Sequence, residues 1–91
     1  MLILKQTSQF RKDYKRIKKR GYAVSILAEV LKTLLAQKPL EQKYQDHQLT
    51  GKWKDFRECH LQNDWLLIYQ VLHKELILLA TRTGTHADFG W

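Results

Sequence analysis

Residues 65–71 read Trp65-Leu66-Leu67-Ile68-Tyr69-Gln70-Val71. From Trp65 to Tyr69 no polar side is left to face water, and the run is short, so it predicts a strand buried on both faces and central in a sheet. On either side lie Gln62-Asn63-Asp64 and Leu72-His73-Lys74-Glu75, breaks short enough for β-hairpins. Flanking strands are therefore expected at Trp53–Leu61 and Leu76–Thr83, each antiparallel to the central one. One face of that sheet needs a cover.

The cover is expected from the first half of the chain. Leu2-Ile3-Leu4 suits a short strand, and Thr7 or Ser8 offers a helix N-cap. Phe10, Tyr14 and Ile17 recur at helical spacing up to Gly21, a suitable C-cap. Val24, Leu27, Ala28, Leu31, Leu34 and Leu35 give a second amphipathic helix, which Pro39 is expected to stop. With few residues between them the helices form a hairpin. Residues 39–51 have no period and read as a loop. The fold class expected is α+β, an N-terminal strand and a helical hairpin packed on a mainly antiparallel sheet, in one domain over residues 1–91.

Charge sharpens the expectation. The chain of 91 residues carries a net +7, and residues 1–20 account for all of it. Lys5, Arg11, Lys12, Lys15, Arg16, Lys18, Lys19 and Arg20 stand there against Asp13, whereas acids and bases balance in the remainder. Such a block favours a polyanion, an acidic protein or an anionic membrane surface. The apolar runs fall well short of the ~20 residues that span a bilayer, no signal-peptide pattern opens the chain, and Cys59 is alone. A cytoplasmic protein without a membrane partner is the expectation.

Four histidines, His47, His60, His73 and His86, are the residues best suited to chemistry. Metal-ligand spacings such as CxxC or HExxH are absent, and so are a phosphate-binding glycine loop and a nucleophile elbow, so no metal or cofactor is expected. Acid/base chemistry is what remains. Cutting RNA through its own 2′-hydroxyl needs a base for that proton, an acid for the 5′-oxygen, and cations for the charge gathering on phosphorus. Histidine, with an ordinary pKa of about 6.5, suits the first two roles; arginine suits the third. His47, Glu58, His60, Asp64, Arg82 and His86 form the possible set. In a strand Phe56, Glu58 and His60 share a face, with Cys59 on the other beside Arg57 and Leu61. Pairing of the last strand could return the tail toward His60. His73 reads as a surface turn residue, and Trp53, Trp65 and Tyr69 as core or partner contacts.

Four stretches, in order, carry a resemblance: Lys43-Tyr44-Gln45-Asp46-His47-Gln48-Leu49, Gly51-Lys52-Trp53-Lys54-Asp55-Phe56-Arg57-Glu58-Cys59-His60, Asp64-Trp65-Leu66-Leu67-Ile68-Tyr69 and Arg82-Thr83-Gly84-Thr85-His86. They resemble the signature segments of the YafQ branch of the RelE/ParE toxin superfamily. The resemblance implies a RelE-like fold and a metal-independent endoribonuclease, an mRNA interferase, that cuts translated messenger RNA on the ribosome. It implies His86 as proton donor, with the base among Asp64, His60 and His47. RNA or phosphate contacts are expected at Arg82, Glu58, Phe89, Lys52 and Lys54, and ribosome contacts at Lys12, Lys15, Arg16 and Lys19. A DinJ/RelB-like antitoxin with a ribbon-helix-helix portion is implied as partner, and operator DNA only through that complex. Gln48 stands where the family often has proline, the tail from Ala87 to Trp91 departs in spacing, and Asp88 is expected to act on His86 if the two lie close. Two other readings remain: a ParE-like topoisomerase poison, which has no need of the histidines, and a non-catalytic RNA-binding module.

Overall fold

The computed structural model describes residues 1–90. Its regular elements, in chain order, are β1 (Ile3–Gln6), α1 (Ser8–Lys19), α2 (Val24–Leu35), β2 (His47–Gln48), β3 (Arg57–Gln62), β4 (Trp65–Leu72) and β5 (Ile77–Gly84), with single 3-10 turns at Gln42–Tyr44, Gly51–Trp53 and Ala87–Phe89. The sheet order is β1-β5-β4-β3-β2. Only β1 with β5 is parallel; the other pairs are antiparallel. As the unbroken apolar run requires, β4 lies in the middle, and Trp65, Leu66, Leu67, Ile68 and Tyr69 are all buried.

Alternation along the strands divides the sheet into two faces. Cys59 and Leu61 of β3, Leu67 and Tyr69 of β4, and Leu78 and Ala80 of β5 join Phe10 and Ile17 of α1 and Leu27, Val30 and Leu34 of α2 in one core. Each large side chain there contributes roughly 1.5–3 kcal/mol by leaving water. Leu66 and Ile68 point the other way, and they too are buried.

The helix ends follow local chemistry. Thr7 Oγ1 accepts the Phe10 N–H at 2.9 Å and donates to Thr81 O at 2.8 Å, so the cap also ties α1 to β5. Gly21 takes a left-handed φ of 82° just past α1, where the Tyr22 N–H reaches Ile17 O at 3.2 Å. Pro39 does not end α2. Left-handed Gln37 ends it earlier, with the Lys38 N–H bonded to Thr33 O.

Two expectations about the middle of the chain need correction. The third strand starts at Arg57, not Trp53, because Gly51 at φ 66° opens a 3-10 turn and the Phe56 N–H folds back to Trp53 O. Residues 39–51 are also not wholly loop: His47 and Gln48 pair with Glu58 and Arg57 as an edge strand. Two residues are too few for a period to show.

Candidate active site

Register places the site before any side chain is considered. Residues directly paired across a sheet share a face, and on the face away from the helices two adjacent rows result. The first runs His47, Glu58, Ile68, Arg82; the second runs His60, Leu66, Gly84. Ile68 and Leu66 form the apolar floor. Asp64 sits in the turn after β3, and His86 follows Gly84 by two residues, so both flank the second row.

The side chains close on one another. The His60 ring lies 6.2 Å, centroid to centroid, from His47 on one side and 6.2 Å from His86 on the other. Glu58, only 5% exposed, brings Oε1 to 3.3 Å from His60 Nε2 and 3.4 Å from His47 Nε2. His86 Nδ1 is hydrogen-bonded to Asp64 Oδ1, which also accepts the His86 backbone N–H at 3.2 Å. These bonds hold the Asp64 carboxyl below the usual carboxylate range, the bond from the His86 side chain foremost. Side-chain exposure is 48% for His47, 28% for His60 and 45% for His86, so the row is open to a large substrate. A cleft of about 400 Å³ lined by Leu34, Arg57 and Tyr69 lies instead on the helix side, because Arg57 and Tyr69 point opposite to Glu58 and His60.

The three histidines are held differently. His60 is fixed by the β3 ladder. His47 depends on Asp46, whose carboxylate accepts the Tyr69 hydroxyl and bonds of 3.4 and 3.1 Å from Arg57. Burial, with Asp46 adding to it, pushes the Tyr69 hydroxyl up, so the phenol stays a donor. Gln48 donates to Lys54 O and accepts from Arg57 Nη1 at 3.4 Å, so the residue in place of proline ties this loop with its side chain. The turn carrying His86 is held from α1.

That hold begins at Asp13. β1 pairs no further than Gln6 with Ala80, so the outward N–H of Thr83 has no strand partner. The fully buried Asp13 carboxylate accepts it at 3.2 Å and also takes Arg82 Nε at 2.9 Å and Nη2 at 3.2 Å. Asp13 was not singled out from sequence. Its signal was there: a lone carboxylate three residues after Phe10 and four before Ile17, on the buried face of a basic helix.

The other residues expected at the site take the following positions. Arg82 is bound to Asp13 and stacks over Phe89, its Cζ 4.8 Å from the ring centroid, so its charge is shared with a carboxylate. Glu58, expected as an RNA or phosphate contact, is buried, with its carboxylate between two imidazoles. His86 is hydrogen-bonded to Asp64, and Asp88 pairs with Arg20 and Arg16. Lys52 and Lys54 are exposed on the connection before β3, and Lys12, Lys15 and Lys19 are exposed on α1, whereas Arg16 is partly engaged with Asp88 at 3.5 Å. His73 is exposed in its turn. Burial pushes the Cys59 thiol up, which fits a core residue and not a nucleophile. Trp91, the alternative to Phe89 for stacking on RNA, lies outside the described residues.

Comparison with known proteins bears on the family and the fold. The profile of the bacterial toxin of type II toxin–antitoxin systems, YafQ, matches residues 2–90. The mRNA interferase toxin YafQ of Escherichia coli K12 is 41% identical over 86 residues, covering 92% of this chain and 90% of that protein. A metal-bound toxin from Helicobacter pylori is 42% identical with a TM-score of 0.91, covering 97% of this chain and 98% of that one. The E. coli DinJ-YafQ complex matches at 36% identity and a TM-score of 0.87, covering 97% of each chain.

Proposed function

Because this chain belongs to the YafQ family of bacterial type II toxin–antitoxin toxins, we propose that it is an endoribonuclease that cuts translated messenger RNA on the ribosome by acid/base catalysis through the 2′-hydroxyl. The observation that carries the reading is the row of three imidazoles 6.2 Å apart, with Glu58 and Asp64 beside them, on one open face.

Roles follow from what each ring already does. Asp64 fixes His86 with Nδ1–H as donor, so Nε2 is the atom that exchanges a proton with the RNA. With a proton on Nε2 as well as on Nδ1, the ring serves as the acid, giving the Nε2 proton to the departing 5′-oxygen and keeping the Nδ1 proton on Asp64. Asp64 is committed to that ring. His47 faces acceptors at both nitrogens, Gln45 O at 2.7 Å from Nδ1 and Glu58 at 3.4 Å from Nε2, which is poor geometry for a base. His60 is left. With Nε2 at 3.3 Å from the Glu58 carboxylate, it has its other nitrogen left to accept the 2′-hydroxyl proton. Arg82 and His47 face the phosphate, and Phe89, stacked against Arg82, offers a surface for a base.

The scheme is metal-independent, since both the acid and the base it uses are imidazoles. Chelator-treated toxin should cut as well as untreated toxin; lost activity restored by a divalent ion would remove this part of the scheme. The partner fitting the family is a DinJ-like antitoxin, whose acidic portion the basic α1 would favour.

Mapping messenger 5′ ends after inducing wild type, His86→Ala and His60→Ala tests the whole reading. New ends with wild type only, dependent on translating ribosomes, are expected. Growth arrest without new ends would end the ribonuclease reading.

A further inference from the structure

His86 sits on a single 3-10 turn at the end of the described chain, with no strand neighbour. Outside the ladder the ring is held on one side by Asp64. The other side is built around Asp88. The Thr85 N–H donates to Asp88 Oδ2 at 2.9 Å, and the Asp88 N–H donates to Thr85 Oγ1 at 3.1 Å. This is the reciprocal pattern of a capping box, closed across His86 and Ala87.

Two further observations converge on the same carboxylate. Arg20, just past the end of α1, grips it with both terminal nitrogens, Nη1 at 2.8 Å and Nη2 at 3.0 Å, while Arg16 Nη1 lies at 3.5 Å. Paired guanidinium–carboxylate bonds fix orientation as well as distance. Gly84, at φ 152°, leaves the room: a Cβ there would stand 2.7 Å from Asp88 Oδ2. The chain thus omits a side chain where this carboxylate packs.

We propose that Asp88, held by Arg20, is a positioning residue for His86, clamping the turn so that the imidazole stays between Asp64 and the scissile phosphate. The inference rests on the reading of His86 as proton donor. It also gives part of the basic block an internal task, since Arg20 and Arg16 serve the site from behind while Lys12, Lys15 and Lys19 stay exposed. Arg20 foremost, with help from the Thr85 N–H, holds the Asp88 carboxyl well below the usual carboxylate range. The clamp is therefore fully ionised across neutral pH and adds no titration of its own there.

The test uses the full-length toxin with single-turnover cleavage of ribosome-bound messenger and long-range 1H–15N spectra of the imidazoles. Asp88→Asn, Arg20→Gln and Gly84→Ala should each lower the cleavage rate by ~10- to 100-fold, as small misplacements of catalytic groups do. Half-saturation by ribosomes should not change, the factor should be the same across neutral pH, and the His86 resonances should move while those of His60 and His47 stay. Arg20→Lys, which keeps the charge, should recover part of the rate. Unchanged cleavage and unchanged His86 signals in both Asp88→Asn and Arg20→Gln would overturn the proposal. So would a loss confined to ribosome half-saturation, or equal displacement of all three histidines. If wild-type toxin cuts no ribosome-bound messenger, the functional reading falls, and the His86 resonances alone still decide whether Asp88 places the ring.

Discussion

His60 and His86 lie 6.2 Å apart and are held by opposite means. His60 is a ladder residue of β3, paired with Leu66 of the buried central strand, so the backbone that builds the core also aims the ring. His86 has left the sheet. Its place depends on side chains: Asp64 in front, the Thr85–Asp88 box around it, and Arg20 behind. A site assembled this way has one member fixed by the cost of unfolding and another fixed by a few polar contacts. Activity and stability should therefore come apart at the turn and stay coupled in the sheet.

The largest effects should fall on the rings themselves. His60→Ala and His86→Ala should each lower cleavage by ~10²- to 10⁴-fold, the usual contribution of an acid/base group, with the protein still folded by circular dichroism. Retained cleavage in either would remove that ring from the chemistry. Next comes Asp13→Ala, which strands Arg82 and the buried Thr83 N–H. Breaking a buried pair of this kind costs about 3 kcal/mol, so denaturant midpoints should fall with activity. A fall in activity alone would show that Asp13 belongs with the turn and not with the sheet.

The smallest effect is one of acid stability. The Asp88 carboxyl is depressed in the folded protein relative to its ordinary value of about 3.9. Its contribution is therefore complete above that pH and is lost as pH falls toward the folded value. Thermal midpoints of wild type and Asp88→Asn should differ by a constant amount from neutral pH down to about 4, then converge. A gap that stays constant into stronger acid would mean that Asp88 is not the group being protonated.

Residues 65–71 were sufficient to identify the central strand, and the i, i+3, i+4 pattern of Val24 to Leu35 to identify α2, because both signals are periodic and long. The start of β3 differs from the pattern because Trp53 and Phe56 look like strand residues, whereas Gly51 turns the chain first. Glu58 and His60 were legible as one face of a strand. The supporting carboxylates were not. Asp13, Asp46 and Asp88 act across 69, 23 and 68 residues of chain, on Arg82, Tyr69 and Arg20, and such partners leave no trace in local spacing. Asp88 had one local sign, its position three residues after Thr85, which marks a capping box. Proximity in sequence pointed instead to its neighbour His86.

The central claim is that the three imidazoles serve one phosphodiester whose own 2′-hydroxyl is the nucleophile. Ribosomes carrying a messenger with one 2′-deoxynucleotide at the scissile position, mixed with purified toxin, test it most directly. The deoxy messenger should remain whole while its all-ribose twin is cut to a 2′,3′-cyclic phosphate end; cleavage of both at equal rates would contradict the account.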